Sequence, residues 1–132
     1  MVRKKPRILA ICTMGLNRSK YLASYLKNKG YGTRYGGIGF GRVDKKAHKP
    51  FKQEDIDWAD IIVVARKRHK PLLKKHYKVK GKKIITLDVS DSKRRIGKKF
   101  PTLGKLDFKT FQRKWTYPQL RKAIKPYLPL RL

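Results

Sequence analysis

The sequence predicts an α/β domain, a parallel sheet with helices on both faces. Three observations lead there. The runs Ile8-Leu9-Ala10-Ile11, Ile61-Ile62-Val63-Val64 and Ile84-Ile85-Thr86-Leu87 are largely apolar rather than alternating, as in strands buried on both sides. Segments with apolar residues at helical spacing lie between them. Glycines and polar turns punctuate the junctions.

Taken in order, a basic lead over residues 2–7 precedes Ile8-Leu9-Ala10-Ile11, a buried strand. Residues 19–29 predict a helix, with Leu22, Ala23 and Leu26 at helical spacing and Gly30 as the stop. Thr33-Arg34-Tyr35 reads as a second strand, leading into a glycine-rich loop at 36–41. A short helix is expected at 53–59, and Asp60-Ile61-Ile62-Val63-Val64 is the strongest strand signal. Residues 67–77 predict a very basic helix, and 83–87 another buried strand. A long loop is expected from Asp88 to about Asp107, then helix through Tyr127. The 132 residues suit a single domain, 1–132, with a basic 92–107 loop and a helical C-terminal tail. Ligands of such sheets sit outside the carboxyl ends of the strands, at a topological switch point. The first and fourth strands end at Cys12 and Asp88.

Charge is the abnormal quantity: 37 Lys and Arg against 8 Asp and Glu, a formal +29. Self-repulsion of that size opposes compaction unless a polyanion relieves it, which points to nucleic acid, above all RNA or the ribosome. Adaptation to heat or salt usually raises Glu with Lys, and the chain has one Glu, at position 54. One cysteine excludes a disulfide framework and a four-cysteine metal site. His48, His69 and His76 lack metal-ligand spacing and read as surface residues, so neither metal nor cofactor is expected. The apolar run at 8–12 is far too short for a signal peptide or membrane span; the cytoplasm is the expected compartment, with no membrane partner.

Cys12-Thr13-Met14-Gly15-Leu16-Asn17-Arg18-Ser19 lies between the first strand and first helix. A cysteine that attacks phosphorus must be a thiolate, whereas a free thiol titrates near ~8.5. Amides wrapped about a helix N-terminus favour the anion and cradle phosphate oxygens. Arg18 supplies a planar fork for two of those oxygens. Ser19 is placed to cap the helix and to donate its hydroxyl to sulfur, and Gly15 allows the positive φ that converging amides need. The alternative is that Cys12 is only the last buried residue of its strand, which leaves Gly15 and Arg18 unexplained.

Residues 8–24, ILAICTMGLNRSKYLAS, resemble the N-terminus of the low molecular weight protein tyrosine phosphatases. To about Asp91 the chain is similar to a predicted phosphatase branch of that family, through Tyr35-Gly36-Gly37, residues 58–64, residues 66–70 and residues 84–88. The resemblance implies a flavodoxin-like fold, a four-stranded parallel sheet of order 2-1-3-4 with the phosphate loop after strand 1. It also implies a phosphocysteine at Cys12, with Arg18 as clamp and Thr13, Met14, Gly15, Leu16 and Asn17 around the phosphate. The chain departs from the family at Met14-Gly15, where Gly-Asn is usual, and at Lys20, where Pro is usual.

Protonating the leaving oxygen requires an acid facing the loop. Of Asp44, Glu54, Asp55, Asp57, Asp60, Asp88, Asp91 and Asp107, the two after strand four, Asp88 and Asp91, are on the right sheet edge, and Asp88 is preferred. Arg66, Lys67, Arg68, Lys70, Lys74 and Lys75 form one candidate nucleic-acid surface, and Arg94, Arg95, Lys98 and Lys99 another. Aromatics such as Phe40, Trp58 and Trp115 are either base-stacking platforms or packing. Two functions result: a cysteine-dependent phosphomonoesterase near nucleic acid, or a non-catalytic RNA- or ribosome-associated basic protein that keeps the fold.

Overall fold

The computed structural model describes residues 5–41 and 46–131; Asp44 and residues 2–4 of the basic lead lie outside them. Four strands form the sheet: β1 (Arg7–Cys12), β2 (Gly32–Gly37), β3 (Ile61–Val64) and β4 (Lys83–Thr86). Their order is β2-β1-β3-β4 and every pairing is parallel.

Strand pleating sorts the apolar runs onto two faces. Ile8, Ala10, Ile61, Val63 and Ile85 pack against Leu22 and Leu26 of α1 (Arg18–Asn28) and Leu120 and Ile124 of α7 (Tyr117–Ile124). Leu9, Ile11, Ile62 and Val64 face the other way, onto Ile56 of α2 (Gln53–Trp58) and Leu73 of α3 (His69–His76). Ile8, Leu9, Ile11, Ile61 and Ile62 are all fully buried. Each contributes roughly 1.5–3 kcal/mol relative to exposure, which is why these runs do not alternate with polar residues.

Acidic residues near α2 act locally. Asp55 accepts from Lys52 N (2.9 Å) and pairs with Arg34 at 3.1 Å, while Asp60 accepts from Arg7 N (2.8 Å).

The expected loop from Asp88 to Asp107 is in large part helical. Ser92 accepts from Arg95 N (3.3 Å) and caps α4 (Lys93–Lys99); Pro101 opens α5 (Pro101–Gly104). Gly36 and Gly37, expected in a loop, complete β2. Asp107 caps α6 (Phe108–Phe111), accepting from Thr110 N at 3.1 Å. A π-helical turn (Gln112–Thr116) leads into α7. The Tyr21 and Tyr117 rings stack with centroids 4.1 Å apart, joining α7 to α1. Among the described residues no helix is long and apolar enough to cross a membrane.

Backbone ladders continue beyond the strands. Ala65 N donates to Ile11 O, Leu87 N to Val64 O and Val89 N to Ala65 O, each at 2.9 Å. The segments after β3 and β4 therefore run alongside the loop after β1, at the switch point between β1 and β3.

Candidate active site

β1 ends at Cys12, which is 2% exposed, and its thiol lies 3.1 Å from Ser19 Oγ. Gly15, at φ +81°, turns its N–H back to donate to Cys12 Sγ at 3.3 Å. The loop carbonyls are drawn outward: Ile38 N donates to Cys12 O (2.9 Å), Gly39 N to Thr13 O (2.8 Å) and Lys49 N to Met14 O (2.9 Å). This anchoring requires close backbone approach, because a Cβ on Gly37 would lie 2.4 Å from the Met14 carbonyl carbon and 2.6 Å from Gly15 N. Ser19 sits inside the first turn of α1 and is not its cap. The N-cap position belongs to Asn17, whose side chain makes no cap bond.

Arg18 is 5% exposed and turned inward. Its Nη1 donates to Val89 O (2.8 Å) and its Nη2 to Thr13 Oγ1 (3.3 Å). Arg68 Nη2 also donates to Thr13 Oγ1. The same oxygen lies 3.0 Å from His69 Nε2, while Arg66 N donates to His69 Nδ1 at 3.1 Å. With Nδ1 accepting, the proton of a neutral ring is on Nε2, so His69 donates to Thr13. Burial, reinforced by the Arg18, Arg68 and Arg66 guanidiniums, drives the His69 pKa down to about 3. His69 is thus a fully buried neutral residue, not the surface residue expected from sequence.

The two acids part company. Asp91 Oδ2 accepts from Asn17 Nδ2 (3.0 Å) and lies 3.4 Å from Arg18 Nε, whose N–H is not aligned for a hydrogen bond. Asp88 is exposed and pairs with Arg66 Nε at 2.9 Å. The segment after β4 is pinned further where Trp115 Nε1 donates to Ser90 O (3.2 Å). Tyr117 OH donates to Asn17 Oδ1 (3.0 Å); burial, with Tyr21 and Asp91 nearby, raises its pKa and keeps it a hydroxyl.

Cys12 and Asp91 line one open cleft of about 1190 Å³, together with Arg18, Arg66, Arg68 and Arg95. Met14, Leu16, Phe40, Pro71, Leu72 and Phe108 give it apolar walls. Arg68 lies over the Phe40 ring, 4.9 Å from its centroid. Burial and the Arg18, Arg66 and Arg95 charges pull the Arg68 pKa below its ordinary value. Of the cations weighed for nucleic acid, Arg66, Arg68 and Arg95 thus belong to this cleft. Lys70 and Lys74 line a separate depression of about 350 Å³ with Lys80 and Lys82. Lys67 and Lys75 are exposed, on and just before α3, and Arg94, Lys98 and Lys99 are exposed on α4. Phe108 was not singled out from sequence; its only signal is an apolar residue directly after the Asp107 cap.

No protein-family model matches the chain, and no curated protein matches it by sequence. Solved structures match it by fold. The YwlE arginine phosphatase, in a Cys-to-Ser variant with a phosphorylated active-site serine, superposes with a TM-score of 0.54 at 15% identity, over 95% of this chain and 97% of that one. A low molecular weight protein tyrosine phosphatase from Bacillus subtilis gives 0.55 at 16% identity, over 91% and 97%. The YwlE arginine phosphatase from Geobacillus stearothermophilus gives 0.51 at 20% identity, over 96% and 98%. The likeness is one of fold: a four-stranded parallel sheet of order 2-1-3-4 with the flavodoxin-like layering of these phosphatases.

Proposed function

We propose that this chain is a cysteine-dependent phosphomonoester hydrolase. The observation that carries the reading is convergence on one sulfur. Ser19 Oγ and the Gly15 N–H both reach Cys12 Sγ, while buried Arg18 and the Asp91 carboxylate border the same cleft.

In this mechanism the Cys12 thiolate attacks phosphorus and the bond to the leaving oxygen breaks. Ser19 stabilises the thiolate by donating its hydroxyl. Loop amides and the Arg18 fork hold the equatorial oxygens, where charge develops. A bound phosphate takes over the Arg18 guanidinium, and Asp91, in its protonated form, gives its proton to the leaving oxygen. Water then attacks the phosphocysteine, its proton passing to the Asp91 carboxylate. The P–S bond breaks, inorganic phosphate leaves and the thiolate is restored. Asp91 is preferred to Asp88 because Asp88 is exposed, pairs with Arg66 and does not border the cleft. The YwlE variant whose active-site serine is phosphorylated supports a covalent route on this fold.

The test uses protein stripped of nucleic acid at high salt, with para-nitrophenyl phosphate as substrate. Wild type turns over and Cys12→Ser does not. Equal silence from both, with RNA retained on a steep salt dependence, overturns hydrolysis in favour of a binding protein.

A further inference from the structure

The cleft holds more positive charge than one phosphate monoester uses. The Arg18 fork and the loop amides suffice for a single dianion at Cys12. Arg66 is offset by Asp88 at 2.9 Å, and Arg18 faces Asp91 at 3.4 Å. Arg68 and Arg95 border the same cleft with no carboxylate partner among the described residues. Arg68 is held in place from both sides, by its bond to Thr13 Oγ1 and by stacking on Phe40. Arg95 is carried by the first turn of α4, where its backbone N–H closes the Ser92 cap. Burial first, and then the Arg18, Arg66 and Arg95 charges, lower the Arg68 pKa against the opposing pull of Asp91, and guanidiniums so gathered bind phosphate dianions well.

The cleft's walls point the same way. Leu16, Phe40 and Phe108 border it and are 53%, 46% and 56% exposed, a large apolar rim around a cationic centre. The volume of about 1190 Å³ exceeds what a phosphorylated side chain fills. Aromatic rings beside guanidiniums suit a base with phosphates attached.

Resting on the hydrolytic reading of Cys12, we infer that the substrate is a nucleotide phosphomonoester carrying a second phosphate. One phosphate sits over Cys12 and Arg18. The other is held by Arg68 and Arg95, and the base lies on the Phe40 and Phe108 rim. The same chemistry occurs in a free nucleoside bisphosphate and in the phosphorylated end of a nucleic-acid strand. A phosphoryl group on a cationic leaving group, as in phosphoarginine, meets like charge at Arg68 and Arg95.

The experiment compares kcat/KM for adenosine 3′,5′-bisphosphate, a 5′-phosphorylated tetranucleotide, adenosine 5′-monophosphate, phosphotyrosine and phosphoarginine. It is run on wild type, Arg68→Ala and Arg95→Ala. The second phosphate raises kcat/KM by about 10–100-fold over the monophosphate, the worth of one or two charge-assisted contacts. Either alanine variant lowers that ratio by about tenfold or more. A better tetranucleotide than bisphosphate assigns strand ends as the source; the reverse assigns free nucleotides. Equal rates for mono- and bisphosphate, a ratio unmoved in both variants, or phosphoarginine as the best substrate overturns the inference while leaving hydrolysis intact. Calorimetric binding of adenosine 3′,5′-bisphosphate to Cys12→Ser and Cys12→Ser/Arg95→Ala separates the two readings. Binding weakened by the second substitution, where the wild type hydrolyses none of the substrates, upholds the anion site and rejects the hydrolase; binding that the second substitution leaves unchanged counts against the site.

Discussion

Acidification from pH 7 to pH 5 will destabilise the fold by about 2 kcal/mol through His69 alone. An unfolded histidine titrates at 6.5, whereas His69, sealed behind Thr13 and surrounded by Arg18, Arg68 and Arg66, resists protonation down to about 3. The folded value is the lower one, so the unfolded chain takes the proton first. The contribution is therefore complete above pH 6.5 and is lost progressively as pH falls toward 3. The linkage relation with those two values gives the ~2 kcal/mol quoted for pH 5. For a chain of 132 residues this corresponds to a fall in Tm of roughly 7 °C. The Asp107 carboxyl, lowered by its bonds with Thr110, loses its contribution only as pH drops below the window. Thermal unfolding at pH 7, 6 and 5 and constant ionic strength, for wild type and His69→Gln, is the assay. Glutamine keeps an N–H for Thr13 but does not titrate, so the pH slope between 7 and 5 disappears. An NMR titration of the imidazole applies the same test without a variant: the His69 resonances keep their neutral positions at pH 5. A wild-type slope no steeper than that of His69→Gln, or protonation near pH 6, refutes the reasoning.

Gly37→Ala will push a methyl into Met14 and Gly15 backbone, costing about 1–3 kcal/mol in chemical denaturation and lowering kcat by displacing the loop. Asp91→Asn will reduce kcat on para-nitrophenyl phosphate by about 10²–10⁴-fold, as loss of a general acid requires. Asp88→Asn stays within about fivefold, the worth of an exposed ion pair; the reverse ranking in steady-state assays rejects the assignment. Inorganic phosphate will raise Tm in a concentration-dependent way, by about 2.7 kcal/mol of stability at 100 times its Kd, and an Arg18→Ala variant will lose most of that rise in differential scanning fluorimetry.

Much of this structure is legible in short-range pattern. Residues 8–11 and 61–64 are strands because nothing polar interrupts them, and Gly15 and Arg18 announce the loop through backbone and charge requirements that are purely local. What escaped depends on register between distant segments. His69 sits among Arg66, Lys67, Arg68 and Lys70, which looks like a solvated run. It is buried because the segment after β3 extends the ladder to Ile11 and so turns into the Cys12 loop. α4 buries no residue and contains Gly97, leaving only the Ser92 cap and Pro101 as signals. The different placement of Asp88 and Asp91 is legible in the strand period. Leu87 and Val89 are buried at alternate positions past β4, so the next inward residue in that period is Asp91, while Asp88 points to solvent.

The distribution of charge argues that the site answers to a ligand rather than to stability. The cores on either side of the sheet are apolar and close without any arginine. Yet guanidiniums reach one cleft from three separate places: Arg18 at the end of the first loop, Arg66 and Arg68 in the turn before α3, and Arg95 on α4. Each approach raises the electrostatic cost of the cleft; among the described residues Asp91 borders it, and Asp88 offsets Arg66 from outside it. A fold shaped for stability alone would place carboxylates there, or spread the cations over the surface. Arg18 and Arg68 both donate to Thr13 Oγ1, one residue from the sulfur; that arrangement makes sense when an anion with several negative charges completes it, and the remaining positive surface then draws that anion in from a distance.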